Sequence, residues 1–321
     1  MRLGKQRYES KYMAIKYFYE EAHWSINWMC KQLGISHAAY YKWLHRVIPE
    51  QELENMKLAE LIKEYDERFS HILGYRRMTS WINHFNHTNY SKKRVHRIMK
   101  KLNIHSIIRK KKKKYNSSTP ETTAENKLKR NFYSMKPNEK WATDVTEFKV
   151  PGKNKKLYLS AIIDLYDRAT VSYVISNRND NKLVFKTYDK AIVTNPDAKP
   201  IFHSDRGFQY TSKVFQKKLK SQEMEQSMSR VGQCIDNGPM EGLWGIIKSE
   251  MYCMYEIIDE FSLRFAIKDY LRFYNDERPQ ERYGCKTPSE VRQEALIGIT
   301  PMKYPIAENK RIQKYKEKWS A

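Results

Sequence analysis

The chain has 321 residues, enough for two or three domains and a sizeable catalytic core. Its 60 Lys and Arg stand against 37 Asp and Glu, a formal charge of +23, and such a surplus calls for a polyanionic partner whose phosphates release counterions on contact. No run of about 18 apolar residues and no signal-peptide core occurs, and Cys30, Cys234, Cys253 and Cys285 lack CxxC spacing, which argues against a spanning helix, a disulfide framework and a zinc ribbon.

Residues 1–50 read as helical and helix-turn-helix-like. From Lys11 to Arg46 the pattern is two helices, broken at Gly34, with Ser36 placed to cap the second. Ile26, Met29 and Leu33 form an apolar stripe on one, while Tyr40, Tyr41, Trp43 and Leu44 enrich the other with aromatics. Two readings stand for this pair: contact with DNA, or a hairpin that packs on its neighbour.

Residues 51–115 form a second helix-turn-helix-like segment. A charged helix is expected over Gln51–Phe69, a short one near Thr79–Phe85, a polar turn at His87–Tyr90, and a capped helix from Ser91 with Val95, Ile98, Met99 and Leu102 on one face. Between Ser91 and Tyr115 twelve Lys or Arg occur and no Asp or Glu. Candidate DNA contacts are Lys93, Arg94, Arg97, Lys100 and Lys101 on the helix and the run Arg109, Lys110, Lys111, Lys112, Lys113 and Lys114. Point charges on phosphates position a protein without reading bases, so any base reading belongs to the Ser91–Leu102 helix. A basic tail or an RNA-binding patch is the alternative for the run.

Residues 116–136, rich in Ser, Thr, Asn and Glu, read as a linker. A catalytic core is expected over 137–255, with strands at Lys140–Val150, Lys156–Tyr166 and Ala169–Ser176, a helix at Lys182–Val193, a strand at Pro200–Ser204 and a helix at Ser212–Gln222. Residues 256–321 read as a helical arm, Phe261–Tyr274 at its centre, followed by a basic tail.

Three acids stand out in that core. Asp144 lies amid the β-branched and aromatic strand Trp141-Ala142-Thr143-Asp144-Val145-Thr146-Glu147-Phe148, and Asp205 lies at the tip of Ile201-Phe202-His203-Ser204, before the turn signal Arg206-Gly207. Thirty-five residues separate Asp205 from Glu241, which follows the helix-start signal Asp236-Asn237-Gly238-Pro239. Lys248, seven residues beyond Glu241, returns to nearly the same helix face, whereas Glu250 points to the opposite side. Leu243, Ile246, Ile247 and Met251 look like core. Asp164 and Asp167 sit where one strand turns into the next and read as turn formers.

The stretches WATDVTEF, HSDRGFQYTS and DN-x-x-x-E-x-x-x-x-x-x-K resemble the DDE transposase and retroviral integrase superfamily, most nearly the OrfB half of insertion-sequence three family transposases. GYRRM and KKRVHRIMKKLNI are similar to the helix-turn-helix segment that precedes the core in OrfB proteins, and Tyr274-Asn275 through Arg278-Pro279 and Lys286-Thr287-Pro288 to their C-terminal signature, with Gln280 where His is usual. The resemblance implies a mixed five-stranded RNase H-like α/β core preceded by all-α segments. It implies that Asp144, Asp205 and Glu241 hold two Mg²⁺ ions, with Mn²⁺ able to substitute, and that Lys248 contacts DNA near the scissile end. Two hard cations clamping the attacking and leaving oxygens of an in-line displacement want oxygen ligands of this kind.

The resemblance further implies cleavage and strand transfer at the ends of an insertion sequence, with double-stranded DNA (terminal repeats and target) as partner. It also implies a homo-oligomer on paired ends and a cytoplasmic, nucleoid-associated location in a bacterium. No OrfA-like zipper precedes the motifs, and two readings stand: the chain is the OrfB product alone, or it works with an OrfA-type partner, separate or fused. Two other classes fit the same residues: a DNA-binding regulator that needs no metal, and a nuclease that cuts without joining.

Overall fold

The computed structural model describes residues 8–108, 125–230 and 234–300, together with the single residue 313. The basic run 109–114 and the tail from residue 305 thus fall outside the described residues, apart from residue 313. The chain divides into two compact units, residues 1–82 with 89–105, and residues 83–88 with 106–321.

The described residues of the first unit form helices and the turns between them. The unit contains α1 (Glu9–Ala22), α2 (Ile26–Gln32), α3 (His37–Leu44), α4 (Glu50–Arg68), most of α5 (Tyr75–Phe85) and α6 (Lys92–Leu102). The expected pair of helices over 11–46 is in fact three, because His23 takes a left-handed conformation that ends α1 and Ser25 then caps α2. Tyr12, Ile15, Met29, Cys30 and Tyr40 form a small core under these three helices. α5 starts at Tyr75, ahead of its expected position near Thr79. Ser91 caps α6 as its sequence predicts, its Oγ accepting the Arg94 N–H at 3.2 Å, and Val95, Ile98 and Met99 are buried.

The second unit is built on a mixed five-stranded sheet. β1 (Lys140–Lys149), β2 (Lys156–Asp164) and β3 (Thr170–Ser176) form an antiparallel meander. After α7 (Asn181–Thr194) the chain returns as β4 (Ile201–Ser204), parallel to β1, and after α8 (Phe208–Thr211) and α9 (Lys213–Ser221) as β5 (Glu225–Met228), parallel to β4. The order β3-β2-β1-β4-β5 puts β1 at the centre, paired on both edges. This is the RNase H-like arrangement that the motifs imply. β5 reads Glu-Gln-Ser-Met, too short and polar to announce itself, and only pairing with β4 makes it a strand.

The core beneath the sheet is aromatic. Tyr188, Phe202 and Phe215 meet pairwise with ring centroids 5.5 to 5.8 Å apart, beside Trp141, Tyr210 and Met228. Each such pair adds about 0.5–1.5 kcal/mol beyond area burial, which makes the seat of β1 and β4 rigid.

Among the described residues, three further α-helices follow in this unit: α10 (Gly238–Met254), α11 (Glu260–Asp276) and α12 (Pro288–Leu296). The Arg278 guanidinium reaches back to α10 and binds the buried Glu250 through Nε and Nη2 at 2.9 and 2.8 Å, while Tyr270 donates its hydroxyl to the same carboxylate. Arg292 on α12 binds both Asp164 and Asp167 at 2.7 Å. Those two aspartates also accept backbone N–H groups of their own turn, from Tyr166 and Ala169. They are buried fasteners for the arm.

Candidate active site

Strand register brings two carboxylates together. β1 and β4 pair in parallel as far as Ala142 opposite His203, and Asp144 and Asp205 each lie two residues beyond that pair, on one side of the sheet. Asp205 stands just past the carboxyl end of β4, where open α/β sheets form their crevices. The turn after it closes back, so that Gly207 donates its N–H to Asp205 Oδ1 at 2.9 Å. A Cβ at Gly207 would come within 2.9 Å of Gln209 Oε1 and 3.1 Å of Asp205 Oδ1, which is why this tight approach uses glycine.

Asp144 is gripped on both oxygens. Its Oδ1 accepts the Val145 N–H at 2.8 Å, and its Oδ2 accepts the indole N–H of Trp244 at 2.9 Å. Burial, followed by the negative charge of Asp205, nevertheless pushes the Asp144 pKa up to about 7, and Glu241 adds a smaller push the same way. Asp205 is also raised, by burial, against the lowering effect of the Gly207 N–H. Two carboxylates held toward protonation in this way make a site of negative potential that a cation would relieve.

The groups behind them are fixed. Thr143 donates its hydroxyl to Ala161 O at 2.9 Å and lies 3.2 Å from the Tyr210 hydroxyl, while Asn237 donates its side-chain amide to Thr143 O at 3.1 Å. His203 is fully buried between the hydroxyls of Ser227 and Ser229, and burial lowers its pKa to about 4, so it stays neutral at physiological pH.

α10 brings the remaining site residues. Glu241 lies in its first turn, Trp244 three residues on and Lys248 four further, along one stripe of the helix. Lys248 sits with its Nζ 5.4 Å from the centre of the Phe148 ring, and desolvation lowers its pKa against the opposing charges of Glu147 and Asp144. Leu243, Ile247 and Met251 are buried as core, together with Met240. Among the described residues, no group of three or more His, Cys, Asp and Glu side chains stands close enough to hold a metal ion. The charge of Asp205 bears on Asp144 more strongly than that of Glu241 does.

A buried clasp sets the start of α10. Asp236, in the short 3-10 turn before the helix, is wholly buried and accepts Arg130 Nε at 2.5 Å, Arg230 Nε and Nη2 at 2.8 Å, Arg230 N–H at 3.0 Å and Asn126 Nδ2 at 2.8 Å. The guanidinium bonds outweigh burial and hold its pKa down at about 2. Leu128 adds a backbone N–H to Ser227 Oγ. Residues 126–130, within the stretch expected as linker, are thus stitched to β5 and to the turn that aims Glu241.

On α6, Lys93, Arg97, Lys100 and Lys101 are exposed on the face away from the buried Val95, Ile98 and Met99. Arg94 is engaged within its own unit, donating to Asn55 Oδ1 at 2.8 Å and Glu54 Oε2 at 2.9 Å. Its charge is shared with a protein acceptor, and the four exposed side chains carry the free basic face. Arg109 and Lys110 to Lys114 lie outside the described residues.

Comparison with known proteins decides the family. Residues 134–234 match the integrase core domain model, residues 241–308 match a second integrase core domain model, and residues 52–112 match an HTH-like domain. A putative transposase of insertion sequence element IS150 from Escherichia coli is 39% identical over 248 residues, covering 75% of this chain and 83% of that protein. This chain belongs to the insertion-sequence transposases. A transposase of insertion sequence element IS904 from Lactococcus lactis is 29% identical, covering 77% of this chain and 98% of that protein. Among solved structures, the HTLV-2 integrase catalytic core domain in complex with magnesium matches at 23% identity and a TM-score of 0.39, covering 49% of this chain and 98% of that one.

Three contributors to the site escape a reading of acids and bases alone: Trp244, Gly207 and the Asp236 clasp. Trp244 carries a sequence signal, its i+3 spacing from Glu241 and i−4 spacing from Lys248. Gly207 and Asp236 owe their roles to distances that no local pattern encodes.

Proposed function

We propose that this chain cleaves the ends of its own insertion sequence and joins the freed 3′ ends to target DNA, with Asp144, Asp205 and Glu241 as the metal-holding carboxylates. The observation that carries the reading is that the half-buried Asp144 and Asp205 stand just beyond the parallel pairing of β1 and β4, where burial first and the charge of Asp205 second push the Asp144 pKa up to about 7. Their donor set is all oxygen, which suits hard Mg²⁺, with Mn²⁺ as a substitute, and not a softer metal. Glu241, in the exposed first turn of α10, is the third ligand of a two-ion site. Bound there, the ions would supply Lewis-acid stabilisation of the phosphoryl oxygens and an activated water or 3′-hydroxyl.

The chain's own residues do the rest. Gly207 and Val145 fix the carboxylates through backbone N–H groups, and Lys248 places a cation beside the acidic site, where it contacts the phosphate backbone near the scissile bond. Lys93, Arg97, Lys100 and Lys101, with the run 109–114, track the phosphates of the terminal repeats. Both element ends must meet in one complex, so the working form is at least a dimer, and an OrfA-type partner supplies further end recognition. The reaction belongs to nucleoid DNA in the cytoplasm on this reading, and no helix among the described residues is long and apolar enough to cross a membrane.

The test incubates purified protein, Mg²⁺ or Mn²⁺ and labelled DNA from both flanks of its gene, comparing wild type with Asp205→Asn and Glu241→Gln. Joined products from wild type alone are expected. Cleavage that persists in both variants would overturn the assignment of the site. Cleavage by wild type without joining would favour a nuclease.

A further inference from the structure

Trp244 is 6% exposed, on α10 between the exposed Glu241 and Lys248 on one side and the buried Met240, Ile247 and Met251 on the other. An indole N–H is a donor only and needs an acceptor when buried. Its acceptor here is the Asp144 carboxylate, 2.9 Å away and a hundred residues distant in sequence. This joins the central strand to the helix that carries Glu241, which lies one turn before Trp244. A single charge-assisted bond therefore bears on the rotamer of one candidate ligand and on the rotation of α10 that aims another.

We propose that Trp244 is a positioning residue, whose indole N–H holds the Asp144 carboxylate in the orientation that meets a divalent cation together with Asp205. The inference rests on the metal-site reading given above. A carboxylate offers about four lone-pair sites, so Oδ2 can accept the indole and still face a cation. Outer partners of this kind fix ligand orientation, and losing one typically weakens metal binding or activity about 10–100-fold. Trp244→Phe removes the N–H and keeps an aromatic ring in the core, which separates positioning from packing.

The experiment uses the full chain and two readouts besides catalysis. Mn²⁺ binding is followed by the paramagnetic resonance of the free ion, for wild type, Trp244→Phe and Asp144→Asn, with melting curves to establish folding. In parallel, the wild-type chain carrying ¹⁵N-tryptophan is titrated with Mg²⁺ while the indole N–H resonances are recorded. The expected result is a shift of the Trp244 indole signal on Mg²⁺ addition and Mn²⁺ binding about 10–100-fold weaker in a folded Trp244→Phe. An indole signal that stays put while Mg²⁺ binds, or wild-type Mn²⁺ affinity in Trp244→Phe, overturns the inference and leaves the metal site standing. A wild-type chain that binds no Mn²⁺ overturns both. Should Trp244→Phe fail to fold, the wild-type indole signal, assigned through its contacts to neighbouring protons, decides alone.

Discussion

The clasp around Asp236 makes a demanding prediction. Asp236 is wholly buried and binds Arg130, itself 3% exposed in its side chain, and Arg230. In Asp236→Asn the shape is kept, but the charge that neutralises two guanidinium groups disappears, and an amide N–H₂ now faces donors. Breaking a buried pair from one side costs about 3–5 kcal/mol. For a unit of this size each kcal/mol moves Tm by about 2–4 °C, so a fall of roughly 6–20 °C is expected. Thermal and urea unfolding of wild type, Asp236→Asn, Arg130→Met and the double variant close a mutant cycle, in which the double variant should cost less than the sum of the singles. The low pKa near 2 adds a signature. A carboxylate depressed below its usual 3.8 contributes stability that is full above about pH 4 and lost as pH falls toward 2, and Asp236→Asn should lose that dependence. Because the same turn starts α10, amide exchange near residues 236–241 should quicken well before global unfolding. A fall of less than about 1 kcal/mol, or strict additivity in the cycle, would refute the clasp.

His203 acts in the adjacent, higher pH range. Its pKa drops from 6.5 to about 4, so the unfolded chain binds more protons between those values and stability falls as pH falls through them, by about 3 kcal/mol in all. In His203→Gln the slope of stability between pH 6.5 and 4 should flatten; an unchanged slope would mean that His203 is not the group responsible. Gly207→Ala places a Cβ against Gln209 and Asp205 without a backbone penalty, so strand-transfer activity should fall about 10-fold or more with Tm nearly constant, and full activity would show that the Asp205 turn gives way freely. Replacing Lys93, Arg97 and Lys100 by Ala should weaken DNA binding for any sequence and lower the slope of log K against log salt by about 0.9 for each phosphate that is no longer neutralised. An unchanged slope would remove α6 from the interface.

What the sequence determined by itself is local in kind. The alternation around Asp144, the apolar tip before Asp205, the Gly-Pro start of α10 and the i+7 spacing of Lys248 are readable because strand and helix periods are properties of neighbouring residues. The Ser91 cap and the buried face of α6 were legible for the same reason. The family resemblance supplied the sheet's five strands, although β5 has no signal of its own and exists through its pairing with β4.

Tertiary structure decided which charges are buried and what they meet. In the sequence Asp164 and Asp167 read only as turn formers, Asp236 as a helix-start residue and Glu250 as an acid facing away from the site, and it is the arrival of Arg292, Arg278, Arg130 and Arg230 that makes them fasteners. Arg94 looks like its basic neighbours on α6 until Asn55 and Glu54 meet it across a helix packing. The raised pKa of Asp144 likewise follows first from burial and then from the β1–β4 register, which brings the charge of Asp205 near it. Local pattern names the residues; desolvation and proximity, which depend on the whole fold, give them their chemistry.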